Sequence, residues 1–369
     1  MRNLSDKHLI ILGIRGVPAA HGGFESFAER FAPWMVQHGW KVTVYCQGSQ
    51  TGERYEDMWE GCRRVHLPVS GDGPYASIVF DVKSMMEAVR TEGVLLTLGY
   101  NTGFLSVYAR LRKRVNLINM DGIEWRRAKY TKVQQAYLWL NERLAAMSGN
   151  ILIADHPEIA RHHAAHAAET KIKMIPYGSE KIDSADITQL AKFGLAQDEF
   201  FTVIARPEPE NSILEIVGAF SRRPRGIKLV VLGKYDDNHT YHRAVLAAAS
   251  DEVVFTGAIY EKSILHALRL FSLAYIHGHQ VGGTNPSLVE ALGAGNAVLA
   301  HDNVFNRWVA ESAALYFSDE DECELRIDTL ISSKSIRDHM RLYARQRWNC
   351  EFTWSRILSD YRNIIERSF

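Results

Sequence analysis

The sequence predicts an α/β protein of two domains, each built on a doubly wound parallel sheet. The first observation is length, because 369 residues exceed what one domain commonly needs. The second is that short apolar runs alternate with helical patterns through both halves, which is typical of parallel sheets covered by helices. The third is that the alternation stops in a polar stretch at 177–198 and then begins again. We therefore expect the linker between the two domains to lie there.

Buried strands in the first half follow from short apolar runs. They are predicted at 9–14, 41–46, 94–98, 115–118 and 151–154, with 174–178 as a strand that leaves the first domain. A helix is predicted over 23–38, because Phe24, Phe27, Phe31 and Met35 recur at helical spacing before Gly39 ends it. A second helix is predicted from about 75 to 90.

The strand pattern restarts in the second half, with a helical segment between each pair of strands. Strands are predicted at 201–205, 228–232, 253–256, 274–276 and 297–300. Ligands of such sheets bind at the carboxyl ends of the strands. With two domains, the cleft between them is the expected site.

Composition excludes several classes of protein. Hydrophobic residues make up 46% and charged residues 23%, so a disordered or fibrous chain is excluded. The 43 Lys and Arg balance the 43 Asp and Glu over the whole chain. Residues 1–180, however, hold 22 Lys and Arg against 18 Asp and Glu, a net charge of +4, whereas residues 181–369 hold 21 against 25, a net charge of −4. Four separated cysteines without a CxxC pair indicate reduced thiols. No apolar stretch approaches the ~20 residues of a membrane span, so we expect a cytoplasmic protein, at most peripheral to the inner face of the cytoplasmic membrane.

Two glycine-rich motifs each follow a strand and open a helix. The first, 13–25, has glycines at 13, 16, 22 and 23, which suits phosphate binding by backbone N–H groups but does not fit GxGxxG and disfavours a dehydrogenase. The alternative is a tight turn without a ligand. The second, 278–293, starts its helix at Asn285 and Pro286. There Glu290 either accepts bonds from ribose hydroxyls or complements the helix dipole.

Two further strand ends carry charged residues. Arg206 follows the first strand of the second half, where it can neutralise a leaving diphosphate; a surface turn is the alternative. Asp121 follows the strand 115–118 and can orient an acceptor hydroxyl or act as a base; a turn aspartate is the alternative. The stretch 98–103 is predicted to line the same cleft as Asp121.

Other charged side chains form a basic cluster and a histidine cluster. The basic cluster is predicted to dock on anionic lipid, with a binding energy of ~1 kcal/mol per basic residue. The alternative is a solvated basic helix. Nucleic acid is disfavoured as a partner, because no recognised nucleic-acid-binding module accompanies the cluster. Its members are Arg110, Arg112, Lys113, Arg114, Arg126, Arg127 and Lys129. His162, His163 and His166 fall on one helical segment, where a solvated helix is favoured over a metal site because no carboxylate or cysteine signature adjoins them.

Together these motifs resemble the family 4 retaining glycosyltransferases of GT-B fold, over nearly the whole chain. The closest likeness is to bacterial rhamnosyltransferases that build surface polysaccharides such as lipopolysaccharide on lipid carriers. The segments that carry it are 13–25, 121–125, 206–211, 278–290 and 301–307. The resemblance implies two facing Rossmann-like domains with parallel sheets: an acceptor domain over 1–180, a nucleotide-sugar donor domain over 181–351, and a last helix, 352–369, that packs back on the first.

The resemblance also implies roles for individual residues. Asp121 and Arg206 would be catalytic, and no metal or other cofactor is required. The donor would bind at Gly22, Gly23, Arg206, Gly282, Gly283, Thr284, Asn285, Ser287, Leu288 and Glu290. The acceptor side would be formed by Tyr100, Asn101, Thr102, Glu124 and Trp125. The partners implied are a nucleotide sugar, with dTDP-rhamnose expected, a polyprenyl-diphosphate-linked saccharide and an anionic membrane surface.

Three positions depart from the wider pattern. Gly282 stands where the wider family has the first of two glutamates, and Asn211 stands where it often has a lysine. Trp308 stands where an acid is more usual, so Arg307 is expected to lack a local partner. A nucleotide-sugar epimerase of the same fold and a non-catalytic nucleotide-sugar-binding scaffold therefore remain alternatives.

Overall fold

A computed structural model describes residues 7–20, 22–48, 52–71 and 73–368. His21, within the first glycine-rich motif, lies outside these residues. The chain divides into two compact units. The first comprises the residues up to Pro176 together with those from Ser355 onward, and the second comprises Tyr177–Trp354.

The first unit is built on an eight-stranded sheet. In chain order its strands are β1 (His8–Leu12), β2 (Lys41–Gly48), β3 (Tyr55–Trp59), β4 (Cys62–Pro68), β5 (Val94–Leu98), β6 (Asn116–Asn119), β7 (Ile151–Ala154) and β8 (Ile172–Met174). Their spatial order is β3-β4-β2-β1-β5-β6-β7-β8. All neighbouring strands are parallel except β3, which runs antiparallel to β4. The chain therefore winds outward from β1 in both directions, as in a doubly wound sheet.

Within the described residues, the first unit contains six helices. They are α1 (Gly23–Gln37), α2 (Pro74–Ala88), α3 (Phe104–Leu111), α4 (Lys132–Ser148), α5 (Pro157–Ala164) and the last helix of the chain, α13 (Trp354–Ser368), from its second residue onward. Tyr361 of α13 lies against Phe27 of α1, with ring centroids 4.5 Å apart, and its hydroxyl accepts a 2.7 Å hydrogen bond from Asn119. Aromatic packing and this buried bond attach the end of the chain to the first sheet.

The second unit has a six-stranded, fully parallel sheet. Its strands are β9 (Phe200–Ile204), β10 (Lys228–Leu232), β11 (Val253–Gly257), β12 (Ala274–His277), β13 (Val298–His301) and β14 (Ala314–Phe317), in the spatial order β11-β10-β9-β12-β13-β14. Its helices are α6 (Ile213–Ser221), α7 (Thr240–Ala247), α8 (Lys262–Leu270), α9 (Pro286–Gly293), α10 (Val304–Ala310), α11 (Glu320–Ser332) and α12 (Lys334–Glu351). Phe201, Val231 and Ile276 are fully buried among the core residues of this sheet.

Most strands expected from apolar runs are present, with ends that differ by at most two residues. The strand expected at 174–178 is wrong: β8 ends at Met174, and Pro176 has no N–H to continue the pairing. Among the described residues, three further strands carried no such signal. The hairpin β3–β4 is held at the sheet edge by charged cross-strand pairs, including Arg63 with Glu56 and Arg64 with Asp57, each at 2.6 Å. Such pairs suit an edge strand, which needs no continuous apolar run. The third, β14, forms an edge of the second sheet, and its two central residues are only partly buried.

Candidate active site

The candidate acceptor residues of the first unit gather at one edge of its sheet. The glycine loop follows β1, the segment 99–102 follows the neighbouring parallel strand β5, and Asp121 follows β6, which is next in the sheet. The chain reverses its winding direction between β1 and β5. Crevices at such reversal points are where ligands bind in open α/β sheets.

A pocket of about 430 Å³ occupies this position. Its wall includes Gly13 and Arg15 from the loop after β1, and the predicted acceptor residues Asn101 and Thr102. Further lining comes from Glu25 of α1, Gln47 of β2, helix α2 and the segment from Tyr130 into α4, and includes Ser77, Asp81, Gln134 and Tyr137. The mixture of hydroxyl, amide and aromatic groups suits a polar, ring-shaped ligand such as a saccharide.

Asp81 is a functional candidate that the sequence did not indicate. Its carboxylate accepts a 2.9 Å hydrogen bond from the Thr102 hydroxyl. Burial raises the pKa of Asp81 to about 6, against the opposing effect of that bond. A carboxyl with a raised pKa in a pocket is a candidate binding or catalytic group. Within α2 the residue carries no motif signal, so only the fold brings it to the glycine loop.

Asp121 occupies a turn with unusual backbone geometry. Its φ is +51°, a left-handed conformation that aspartate adopts more readily than most residues. Its backbone N–H donates to Asn119 Oδ1 at 3.0 Å, and its own carboxylate accepts the Gly122 N–H at 2.8 Å. Burial, followed by the negative charge of Glu124, raises the pKa of Asp121 to about 7. A carboxyl that titrates near neutral pH is suited to exchange protons with a hydroxyl.

Three predicted acceptor-side residues support this turn from within. Tyr100 is buried, and its hydroxyl donates to the Gly122 carbonyl at 3.0 Å and accepts the Glu124 N–H at 2.8 Å. Glu124 forms a 2.9 Å ion pair with Arg127. Trp125 donates its indole N–H to Glu142 at 2.8 Å. The side chains of Tyr100, Glu124 and Trp125 therefore hold the Asp121 turn, whereas Asn101 and Thr102 line the pocket.

The glycine loop after β1 is held by α1. Gly13 has φ +82°, and a Cβ there would lie 2.3 Å from the Leu98 carbonyl oxygen, so only glycine lets the loop cross β5 this closely. The N–H groups of Arg15 and Ala19 donate to the carboxylates of Glu25 and Glu29, at 3.3 and 3.2 Å. Gly22 caps α1 without a side-chain hydrogen bond, and Gly23 begins that helix.

The basic cluster divides into two groups. Arg114 donates to the Thr91 and Gly93 carbonyls, and Arg127 is paired with Glu124, so both are engaged inside the unit. The other five cationic side chains are exposed: Arg110, Arg112, Lys113, Arg126 and Lys129. Beside them α4 presents apolar groups to solvent at helical spacing, namely Val133, Tyr137, Leu140 and Met147. We call these nine residues the α3–α4 surface.

The predicted donor residues of the second unit also meet at a reversal point. Arg206 follows β9, and the glycine loop follows the neighbouring parallel strand β12. The Arg206 side chain is 73% exposed, with Glu208 at 3.8 Å. Asn285 caps α9 by accepting bonds from the Ser287 N–H and hydroxyl, at 3.1 and 2.9 Å. An exposed guanidinium beside a helix start is an anion-binding arrangement.

The position of Arg206 is fixed through its backbone by Asn211. The Asn211 side chain is buried and donates to the Arg206 carbonyl at 2.8 Å. The Gln280 N–H donates to the Glu210 carbonyl at 2.9 Å, which joins the glycine loop to the Arg206 loop. Asn211 therefore supports the loop that carries Arg206. Thr284 and Leu288 are buried, while Gly282 and Gly283 lie in the loop before α9.

We expect Gly278→Ala to destabilise the second unit by about 1–3 kcal/mol, the usual cost of overpacking. A Cβ at Gly278 would lie 2.1 Å from the Asn211 carbonyl oxygen and 2.8 Å from Ile216. The two loops would have to separate, so urea unfolding should shift to lower concentration. Gly73→Ala is the matched control, because a Cβ at Gly73 meets nothing within 4 Å. Equal unfolding midpoints for the two variants would contradict the close approach.

Glu290 has a partner that the sequence did not indicate. The guanidinium of Arg269, at the end of α8, donates to the Glu290 carboxylate. The Arg269 side chain is 5% exposed and that of Glu290 is 38% exposed, so a buried cation holds a partly accessible acid. This pairing fixes the carboxylate in one orientation while leaving an edge for a ligand hydroxyl.

The expectation that Arg307 lacks a local partner is wrong. Asp302, five residues earlier, accepts two hydrogen bonds from the Arg307 guanidinium, at 2.5 and 2.7 Å. The partner is not at position 308, because the helix start at Asn303 brings Asp302 alongside Arg307. Trp308 packs instead against Phe352, with ring centroids 5.8 Å apart.

Comparisons with known proteins agree with this architecture. Residues 187–347 match the family described as glycosyl transferases group 1, and residues 6–180 match a domain of unknown function (DUF1972). No curated protein matches the sequence.

Among solved structures, the chain is similar to sucrose-phosphate synthase from Thermosynechococcus elongatus, with 16% identity, a TM-score of 0.81 and 98% of each chain covered. It is similar to Alr3699/HepE from Anabaena, solved with UDP and glucose, with 14% identity, a TM-score of 0.77, and 98% and 99% of the two chains covered. It is also similar to an α,α-trehalose-phosphate synthase (UDP-forming) from Burkholderia xenovorans, with 11% identity, a TM-score of 0.74, and 98% and 100% covered.

These findings confirm the predicted fold class, since both units are Rossmann-like α/β domains with parallel sheets and the chain has the GT-B fold. The family match concerns residues 187–347, and the neighbouring structures, at 11–16% identity, show that the chain shares their fold. Within the described ranges, no helix is both long and apolar enough to cross a membrane.

Proposed function

We propose that this chain is a retaining glycosyltransferase that moves a sugar from a nucleoside diphosphate donor to a lipid-linked saccharide in surface polysaccharide synthesis. The observation that carries the proposal is the pairing of exposed Arg206 with the Asn285-capped start of α9, at neighbouring strand ends within the matched residues. That arrangement suits a diphosphate, because two negative phosphates are attracted by a guanidinium and by the positive end of the helix dipole.

The donor is a nucleotide sugar, with dTDP-rhamnose as the first candidate. Structures of the Anabaena neighbour with UDP and with UDP-glucose support this class of ligand. Glu290, held by Arg269, would accept bonds from the ribose hydroxyls. dTDP-rhamnose is favoured over UDP-glucose only by the motifs that resemble rhamnosyltransferases, so both belong in the test.

The acceptor would bind in the first unit. The 430 Å³ pocket has room for about one to two sugar rings, and its carboxyl, hydroxyl and amide groups suit their hydroxyls. Tyr137 both lines this pocket and belongs to the α3–α4 surface. A lipid-linked saccharide could therefore leave its lipid in the bilayer while its sugar enters the pocket.

The proposed reaction needs no metal. The acceptor hydroxyl attacks the anomeric carbon on the face from which the diphosphate departs, and the bond between that carbon and the diphosphate oxygen breaks with its electron pair on the phosphate. Arg206 and the α9 start stabilise the added negative charge. Asp121 orients the hydroxyl, whose proton passes to a diphosphate oxygen or to the Asp121 carboxylate.

The test is to incubate the full chain with a panel of donors, including dTDP-rhamnose and UDP-glucose, and with a polyprenyl-diphosphate-linked N-acetylglucosamine. A glycosylated lipid with retained anomeric configuration supports the proposal. Conversion of a donor without acceptor would favour an epimerase. Donor binding without turnover on any acceptor would favour a non-catalytic scaffold, and either result overturns the proposal.

The α3–α4 surface should bind anionic vesicles. We expect sedimentation with phosphatidylglycerol vesicles and little with phosphatidylcholine alone, because the attraction needs negative lipid. Arg112→Ala combined with Lys113→Ala should weaken binding by about 2 kcal/mol, roughly 30-fold. Lys234→Ala combined with Arg243→Ala, in the second unit, is the matched control. Equal binding by both double variants would remove this surface from the proposal.

A further inference from the structure

Three side chains from two helices of the first unit converge outside the 430 Å³ pocket. Glu142 lies on α4, and His162 and His163 lie on α5. One carboxylate oxygen of Glu142 and one nitrogen of each imidazole all lie within 4.8 Å of one another. None of the three residues lines the pocket.

The Glu142 carboxylate is almost completely buried. Its side chain is 1% exposed. Its contacts are a 2.9 Å hydrogen bond with His162 Nε2, a 2.8 Å bond from the Trp125 indole N–H, and Arg143 Nε at 4.0 Å. Burying a carboxylate is costly unless a full positive charge compensates it. The Arg143 guanidinium stands at the limit of ion-pairing distance and provides little compensation.

His163 supplies a second, independent observation. Its side chain is buried, at 1% exposure, and its Nδ1 has no hydrogen-bond partner. Buried polar atoms are nearly always satisfied, so an orphaned nitrogen next to a buried carboxylate calls for an explanation. A cation among the three groups would neutralise the carboxylate and could also engage the His163 imidazole.

We propose that Glu142, His162 and His163 form a binding site for a divalent transition-metal ion, with zinc the best match. Two imidazoles and a carboxylate are a recurrent zinc ligand set, which leaves a fourth position to water. The Trp125 N–H on the second carboxylate oxygen is the kind of outer contact that orients a metal ligand. The ion would tie α4, α5 and the turn that follows Asp121 together.

This site is separate from the proposed transfer reaction. The ion would hold the framework of the acceptor turn, and no step of sugar transfer passes through it. Binding can therefore be measured without substrates, so that failure of one proposal leaves the other intact.

The experiment is calorimetric titration of the chelator-treated full chain with Zn²⁺. We expect one saturable site per chain, with affinity reduced at least tenfold in Glu142→Gln and in His163→Ala. His339→Ala, which removes an exposed histidine on α12, should bind as the wild type does. Absence of a saturable site, or wild-type affinity in His163→Ala, overturns the proposal.

X-ray absorption of the zinc-loaded wild-type chain gives a test that does not depend on folding of the variants. Nitrogen and oxygen ligands with imidazole scattering are expected. Sulfur in the first coordination shell would assign the ion to cysteine and overturn the site.

Discussion

Asp121→Asn is expected to lower kcat/KM at least about 100-fold while the protein stays folded. A group that orients a reacting hydroxyl or accepts its proton commonly contributes 10²–10⁴-fold. Asparagine keeps the size of the side chain and tolerates the left-handed backbone at this position. The variant therefore removes the carboxylate with little change in shape. Steady-state rates with the best donor and acceptor measure the loss, and Asp57→Asn, on the edge hairpin, is the matched control.

The pH dependence of the wild type should carry the signature of the same group. The pKa of Asp121 is raised to about 7, so the reactive carboxylate is lost as the pH falls below 7 and kcat/KM should fall with it. Part of the rise in that pKa comes from the negative charge of Glu124. Glu124→Gln should therefore shift the acid limb to lower pH. An acid limb that stays in place, or near-normal turnover by Asp121→Asn, would remove the assigned role.

The free energy of unfolding should change with pH in the opposite direction to the activity. A carboxyl whose pKa is higher in the folded state than in the unfolded state binds its proton more tightly when folded. Its contribution to the free energy of unfolding is therefore lost as the pH rises from about 4 to 7. Asp121→Asn lacks this loss, so its Tm should exceed that of the wild type at pH 8. Gain of stability with loss of activity is characteristic of a functional position.

Much of the fold was predictable because buried parallel strands are apolar on both faces. Strands β5, β7 and β10 were predicted with the ends that the structure shows, since each is a short apolar run bounded by polar residues. Strand β3 was not predicted, because it lies at the sheet edge and is held by charged pairs. Strand β4 was not predicted either, because its buried residues are interrupted by Arg63, Arg64 and His66 and form no continuous apolar run.

The residues of the candidate site also divide into those that the sequence indicates and those that only tertiary packing brings to the site. Arg206 and Asp121 could be proposed from the sequence because each comes shortly after a strand signal, at the carboxyl edge of its own sheet. Asp81 and Arg269 were not found, because each lies within a helix and reaches its site only through tertiary packing. The Glu142–His162–His163 cluster could not be predicted for the same reason. The histidines are adjacent in the sequence, but the carboxylate lies twenty residues before His162 on another helix.

Arg206→Ala is expected to lower kcat by about 10²–10³-fold with little effect on folding. Groups that stabilise charge developing in the transition state contribute on that order when one is removed. The Arg206 side chain is 73% exposed, and the acidic Glu208 lies at 3.8 Å. Such a surface pair contributes little to stability. Thermal unfolding should therefore be unchanged while single-turnover rates fall.

Arg206→Lys separates charge from geometry. Lysine keeps the positive charge but cannot form two parallel bonds to a phosphate, so an intermediate loss of rate is expected. Arg243→Ala, an exposed arginine on α7, should behave as the wild type does. The loss in Arg206→Ala should also be nearly constant between pH 6 and 9, because an arginine stays charged throughout, whereas the effect of Asp121→Asn varies with pH. A rate for Arg206→Ala within threefold of wild type would show that the diphosphate is neutralised elsewhere, and the α9 start would then have to stabilise its charge alone.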